Sequence, residues 1–257
     1  MKSSIHDVII EITRKCNMAC SHCLRGDAEN VTININHIEK LFSQVSYIST
    51  LTITGGEPSL HPEIIMDIVR IAKEMEVEIG NFYMVTNAKR ISDDFIVAIA
   101  KLWAYCTDNE CSSVAVSGDV YHNDDTYIES HNIDILKGFS FFSWKDEMGA
   151  EYNDNIINEG RGVDNFASTR EVNFYPFDVD VYEDTSTISE SMLYLNCEGK
   201  LLGACDLSYD SQRAEQLIIA DVQAKEFNLL ESIEVYNSGF DDCHSKSKPE
   251  MLELEYA

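Results

Sequence analysis

Positive charge is scarce in this chain of 257 residues: 19 Lys and Arg stand against 45 Asp and Glu, a formal net charge of −26. Binding along a phosphate backbone depends on clustered Lys and Arg, so the balance argues against extended nucleic-acid binding and leaves room only for one small anion in a locally positive pocket. No apolar run reaches the length of a bilayer span, so no membrane partner is expected. The opening MKSSIHDVIIEIT has one lysine and a short alternating apolar stretch. It lacks the continuous apolar core and small-residue cleavage site of a secretory signal, so it is expected to be the first strand of a cytoplasmic protein. There is no internal repeat and no low-complexity linker. Most telling, the cysteines at positions 16, 20 and 23 have no fourth cysteine near them.

Hydrophobic residues make up 44% and charged residues 25% of the chain, the balance of an ordinary globular protein. Its length allows one large or two small domains. Eight cysteines do not imply a disulfide framework in a chain with this much core and no secretory mark. Tight clustering points to metal instead.

The first half alternates strand and helix patterns. Strands are expected at 7–13, 50–54, 77–87 and 112–119, and helices at 36–48, 61–75 and 92–106. Asn36 with Glu39 resembles a capping box, Pro62 sits in a first turn, and Ser92 is the expected N-cap of the third helix. A βα unit repeating every ~30 residues predicts a parallel sheet with right-handed crossovers. Beyond residue 120 the pattern weakens: strands are expected at 138–144 and 170–179, and a hairpin at 191–207 turning at Glu198-Gly199.

The cysteine triplet follows the first strand, which places it in a loop at the carboxyl end of the sheet, where such folds bind ligands. A closed zinc site needs a fourth Cys or His, and His22 is too close to both flanking cysteines to ligate easily beside them. Three thiolates on a four-iron, four-sulfur cluster leave one iron open to a small molecule, so an incomplete ligand set makes sense for catalysis.

C-x3-C-x2-C after the first strand, followed by TGGEPSL (54–60) after the second, resembles the radical SAM superfamily. The resemblance covers residues 5–180 and implies an α/β fold, a partial (β/α)6 TIM-type barrel. It implies that Cys16, Cys20 and Cys23 hold a [4Fe–4S] cluster. S-adenosylmethionine (SAM) would chelate the open iron and be cleaved reductively to a 5′-deoxyadenosyl radical that takes a hydrogen from substrate. It also implies that Gly55, Gly56 and Glu57 lie next to the methionine amino group, where two glycines let backbone approach and a carbonyl or carboxylate accepts from the ammonium. A tight strand-to-helix turn is the plainer reading of the same residues. His22 occupies a position that is often aromatic in the family and is expected near the adenine.

Asn87, ending the third strand, either lines the SAM pocket or makes the turn. Ser117 and Asp119, ending the fourth, are candidates for the ribose. His122 is a candidate substrate-side acid or base. Arg161, in EGRG (159–162), is a fork-shaped donor for a carboxylate or a loop arginine paired with an acid. Cys106 and Cys111 are expected to be buried thiols. The division expected is a core at 1–185 and a small α+β extension at 186–257. That extension is similar in rhythm to SPASM or Twitch domains, which hold auxiliary clusters. Here only Cys197, Cys205 and Cys243 could serve as such ligands, so the extension reads as degenerate.

The resemblance leaves the substrate open. A peptide or protein leads, with a small metabolite or nucleotide, or a partner enzyme that receives a glycyl radical, as alternatives. A reductant such as flavodoxin or ferredoxin is implied. The non-enzymatic alternative is a structural zinc or iron–sulfur protein.

Overall fold

The computed structural model describes residues 2–122, 130–145, 156–166, 170–240 and 245–254. Strands and helices alternate as β1 (Lys2–Thr13), α1 (Ile35–Phe42), β2 (Val45–Gly55), α2 (Pro62–Glu74), β3 (Glu78–Thr86), α3 (Asp93–Tyr105), β4 (Ser113–Val116), α4 (Ser130–Lys137) and β5 (Phe142–Trp144). There follow α5 (Arg161–Asn165), β6 (Asn173–Phe174), β7 (Asp178–Tyr182), β8 (Thr185–Leu195), β9 (Lys200–Leu202), β10 (Ile218–Asp221), α6 (Leu229–Ser238), β11 (Lys246–Ser247) and α7 (Lys248–Leu252).

The main sheet runs β10-β9-β8-β1-β2-β3-β4-β5, with β7 paired to β8 and a separate β6–β11 pair. From β8 to β5 every neighbouring pair is parallel, whereas β8–β9 and β9–β10 are antiparallel. β5 and β10 end this order and β7 pairs only with β8, so among the described residues the sheet does not close on itself. The parallel strand beyond β1 is β8, and the expected core–extension boundary at 185/186 falls at its first residues.

Strand periodicity assigns the two faces. Val8, Leu51 and Phe82 are in register across β1, β2 and β3, as are Ile10, Ile53 and Met84, and all six are fully buried. Their face packs against the helix layer, where α2 presents Ile64, Ile65, Ile68, Ile71 and Ala72 at helical spacing. The intervening row of Ile9, Thr52 and Tyr83 lies on the other face and lines a cavity.

Several boundaries differ from expectation. The first helix ends at Phe42 and not at 48, because Val45, Tyr47 and Ile48 pair with β1 as the start of a long β2. Its N-cap is Asn34, whose side chain accepts from the Asn36 N–H at 3.1 Å, so the Asn36–Glu39 box does not form. The strand expected at 138–144 is confined to β5, and 170–179 is divided between β6 and β7. Ser92 caps α3 as expected, accepting from the Phe95 N–H at 3.1 Å. The turn of the β8–β9 hairpin contains Gly199 at φ +80, a left-handed position suited to glycine. No helix among the described residues is long and apolar enough to cross a membrane.

Candidate active site

The carboxyl ends of β1 to β4 surround a cavity of about 350 Å³. Cys16, Cys20 and Cys23 all line it, together with Gly55, Gly56 and Glu57. Each thiol is half-buried and free. Burial pushes Cys16 up to about 11, so metal loading at this position displaces a proton.

The two glycines bring the second motif onto the first. Gly55 has φ +147, and a Cβ there would lie 2.2 Å from the Thr13 carbonyl oxygen. A Cβ on Gly56 would lie 2.3 Å from the Lys15 oxygen. In the space left, the Gly56 N–H donates to Thr13 at 2.8 Å and the Glu57 N–H to Lys15 at 2.9 Å. The Glu57 carboxylate is buried and accepts from the Ser59 N–H, the Thr86 hydroxyl and the Asn87 N–H at 3.0, 2.6 and 2.8 Å. It therefore fixes the ends of β2 and β3 relative to each other. Asn87 lines the cavity while its amide donates to Asn17 at 2.8 Å, so it belongs to the wall and to the turn at once.

Ser117 also lines the cavity. Asp119 lies behind it, almost fully buried, and accepts from the Tyr121 N–H at 2.9 Å. His122 Nδ1 faces both Asp119 oxygens at 2.8 and 2.9 Å, and its Nε2 is 3.6 Å from the Cys20 sulfur. Burial alone would lower the His122 imidazole, but Asp119 and Cys20 outweigh it and hold it up at about 9. His22 goes the other way: burial and the nearby His122 push it down to about 4, leaving a neutral ring. That ring packs against Tyr121 at 4.5 Å between centroids, tilted by 33°, with Nδ1 buried and without a hydrogen-bond partner. His22, Asp119 and His122 are the one convergent group of three such ligating side chains among the described residues.

Arg161 is placed on the cysteine loop and not in the cavity wall. Its Nε donates to the Cys20 carbonyl and its NH1 to Asp27, both at 2.8 Å. Cys197 is buried and donates its S–H to the Glu11 carbonyl at 3.1 Å, and burial pushes its thiol above the usual range. Cys205 instead lines the cavity, its thiol pushed up to about 12 by burial and Asp206. Cys243 lies outside the described residues. Cys106 is buried, but Cys111 is exposed in a short turn, against expectation.

Sequence reasoning missed Arg25, Lys145 and Asp206, which complete the charged part of the wall. Arg25 stacks over Tyr194 at 5.0 Å and donates to the Leu207 carbonyl at 2.7 Å. Its position two residues after Cys23 was the available signal. Lys145 and Asp206 had none, since topology alone brings them here. The sequence also gave no sign that Arg14 is fully buried, donating to Glu11 at 2.8 Å, Glu198 at 2.9 Å and Gln212 at 2.9 Å. This network ties the start of the cysteine loop to residues 194–213.

A [4Fe–4S] cluster and a methionine-derived ligand fit the donors present: three thiols on one loop, backbone brought close by two glycines, and a buried unpartnered nitrogen on His22. Residues 10–132 match the family model of the Radical SAM superfamily. The GTP 3',8-cyclase of Chlorobaculum tepidum is 41% identical over 70 residues, which are 26% of this chain and 21% of that protein. The chain thus spans about a fifth of that relative's length. The solved structure of anSMEcpe with bound AdoMet aligns with a TM-score of 0.52 and 12% identity, over 92% of this chain and 82% of that one. At that identity the likeness is one of fold, an α/β architecture with a mostly parallel sheet of the partial TIM-barrel type.

Proposed function

The chain carries a radical SAM domain, and from that premise we propose that it is an enzyme acting on a polypeptide. Held by Cys16, Cys20 and Cys23, a [4Fe–4S] cluster would supply the electron that cleaves SAM to a 5′-deoxyadenosyl radical, which takes a hydrogen atom from the substrate. One observation carries this reading: the three thiols and the Gly55-Gly56-Glu57 turn line the same cavity.

The chain's own residues bind, orient and exclude water. Gly55 and Gly56 keep the β2 end flush with the cysteine loop, leaving backbone carbonyls as acceptors for the methionine ammonium. Asn87 and Ser117 form the polar wall assigned to the nucleoside, with His22 beside it. Ile9, Val85 and Leu24 supply apolar wall that keeps water from a reactive radical. His122, fixed by Asp119 and 3.6 Å from the Cys20 sulfur, would hold or move a proton beside the cysteine triplet. Cys205 and Asp206, which follow β9, complete the cavity wall from the C-terminal part of the chain. A low-potential carrier of flavodoxin or ferredoxin type is the reductant this reading requires.

A nucleotide is the second reading, favoured by the stretch similar to the GTP 3',8-cyclase. The charge of the chain speaks for the polypeptide: a triphosphate brings several negative charges to a molecule of net charge −26. The test compares the parent with Cys20→Ala after anaerobic reconstitution. The parent is expected to hold about four irons per chain and to form 5′-deoxyadenosine with dithionite and SAM. Loss of both in Cys20→Ala supports the assignment, and SAM cleavage by that variant sinks it.

A further inference from the structure

The proposed reaction needs two ligands side by side, and the cavity at the cysteine triplet, about 350 Å³, lies at the small end of the range for a single one. A second cavity of about 520 Å³ adjoins it. The two share Cys205 and Asp206 in their walls. The shared wall is held in place from several sides. Arg25 donates to the Leu207 carbonyl at 2.7 Å, and Arg170 pairs with Asp206 at 3.2 Å. Gly203 is packed so tightly under Tyr236 that a Cβ would lie 2.3 Å from the hydroxyl oxygen.

The floor of the second cavity comes from an irregularity between β1 and β8. Ile5 pairs with Ile188 and Asp7 with Met192, so Ser189, Glu190 and Ser191 lie opposite the single residue His6. A bulge re-aims side chains, and this one turns Ser189, Glu190 and Ser191 into the cavity wall beside Asp7. Glu190 and Asp7, with Asp206 at the shared wall, give three acidic groups. Arg170, paired with Asp206, and His6, paired with Asp7 at 2.8 Å, are the basic groups in the wall.

We propose that this second cavity is the substrate subsite, and that it receives a basic side chain, lysine or arginine, of a polypeptide whose neighbouring residue reaches past Cys205 and Asp206 to the radical. This rests on the reading above and names its substrate class. The net acidic wall attracts an ammonium or guanidinium group and repels phosphate and carboxylate. The size suits one long side chain with its backbone, and the shared wall at Cys205 and Asp206 sets the distance to the reacting carbon.

The experiment measures binding of two fluorescein-labelled capped tripeptides, Gly-Lys-Gly and Gly-Glu-Gly, by anisotropy to the full chain reconstituted with iron and sulfide and saturated with SAM. The lysine probe is expected to saturate at one per chain and the glutamate probe not to bind. Asp7→Asn with Glu190→Gln is expected to weaken the lysine probe about tenfold. Met192→Trp, which fills the cavity without removing a charge, should weaken it as well. Glu110→Gln with Glu226→Gln removes the same charge from exposed positions outside the cavity and should leave binding unchanged. Equal weakening by both charge pairs would reduce the effect to overall charge, and it overturns the proposal, as does binding of the glutamate probe or the lack of saturation. Formation of 5′-deoxyadenosine in the same preparations, without probe, reads the radical chemistry separately. Its absence counts against SAM cleavage and leaves the charge selectivity of the cavity standing.

Discussion

Arg161 donates from Nε to the backbone carbonyl of Cys20 at 2.8 Å, across 141 positions of chain. Beside it, Gly160 lies so close to the cysteine loop that a Cβ would meet the Leu24 oxygen at 2.5 Å and the Cys23 oxygen at 2.6 Å. The EGRG segment is therefore a clamp on the loop that carries the thiols. Arg161→Ala removes a charge-assisted hydrogen bond of about 1.5–3 kcal/mol. The expected result is iron loss to a chelator about tenfold faster than in the parent, with unchanged circular dichroism. Arg161→Lys should restore little of it, because a single ammonium does not reproduce the fork that reaches both Cys20 and Asp27.

Gly56→Ala tests the contact between the two motifs. A methyl group 2.3 Å from the Lys15 oxygen has no room, and the neighbour is backbone. A loss of about 3 kcal/mol or more is expected, at the upper end of what overpacking costs, read as a lower denaturant midpoint. Cluster binding should fall with it, since the displaced strand is the cysteine loop's own stem.

Acid should loosen the joint between the cysteine loop and the C-terminal segment. Burial would raise the Glu11 carboxyl, but Arg25, Arg14 and the Tyr194 hydroxyl outweigh it and hold it below the ordinary value. Its folded value thus lies under the unfolded one of about 4.3. The contribution is complete above about 4.3 and is lost as pH falls through the folded value, because the unfolded chain binds the proton first. Urea midpoints should decline between about pH 5 and pH 3. In Glu11→Gln the decline should be shallower, from a stability about 2 kcal/mol lower at neutral pH.

The parallel βα half of the fold was legible because its strands are short apolar runs and its helices are amphipathic, with Ser92 and Pro62 as start signals. The triplet and Gly55-Gly56 were legible because chemistry fixes their spacing. Other features depend on partners distant in sequence. Val45 to Ile48 continue a helical apolar pattern, and only pairing with Ser3 to Ile5 makes them strand. Of the two readings of Arg161, the loop arginine paired with an acid is the one that holds, but its partner Asp27 lies far away in the chain and could not be named from sequence. Cys197 and Cys205 sit eight residues apart but face different surroundings, because a hairpin separates them.

Glu76 offers a check on the helix layer. It follows α2 in the left-handed region at φ +57. The Val77 N–H bonds to the Ala72 carbonyl at 2.8 Å, a terminating arrangement that usually has glycine at this position. Glu76→Gly should stabilise the chain by about 0.5–1 kcal/mol, the left-handed penalty less the entropy of glycine, and thermal unfolding measures it.

The central claim is that three cysteines leave one iron open for SAM. The direct measurement is the EPR spectrum of the anaerobically reconstituted, dithionite-reduced protein before and after SAM is added, with 5′-deoxyadenosine quantified in the same sample. The account predicts a spectrum that changes on SAM addition and the nucleoside as product. An intact reduced cluster whose spectrum SAM leaves unchanged, with no 5′-deoxyadenosine formed, would contradict it.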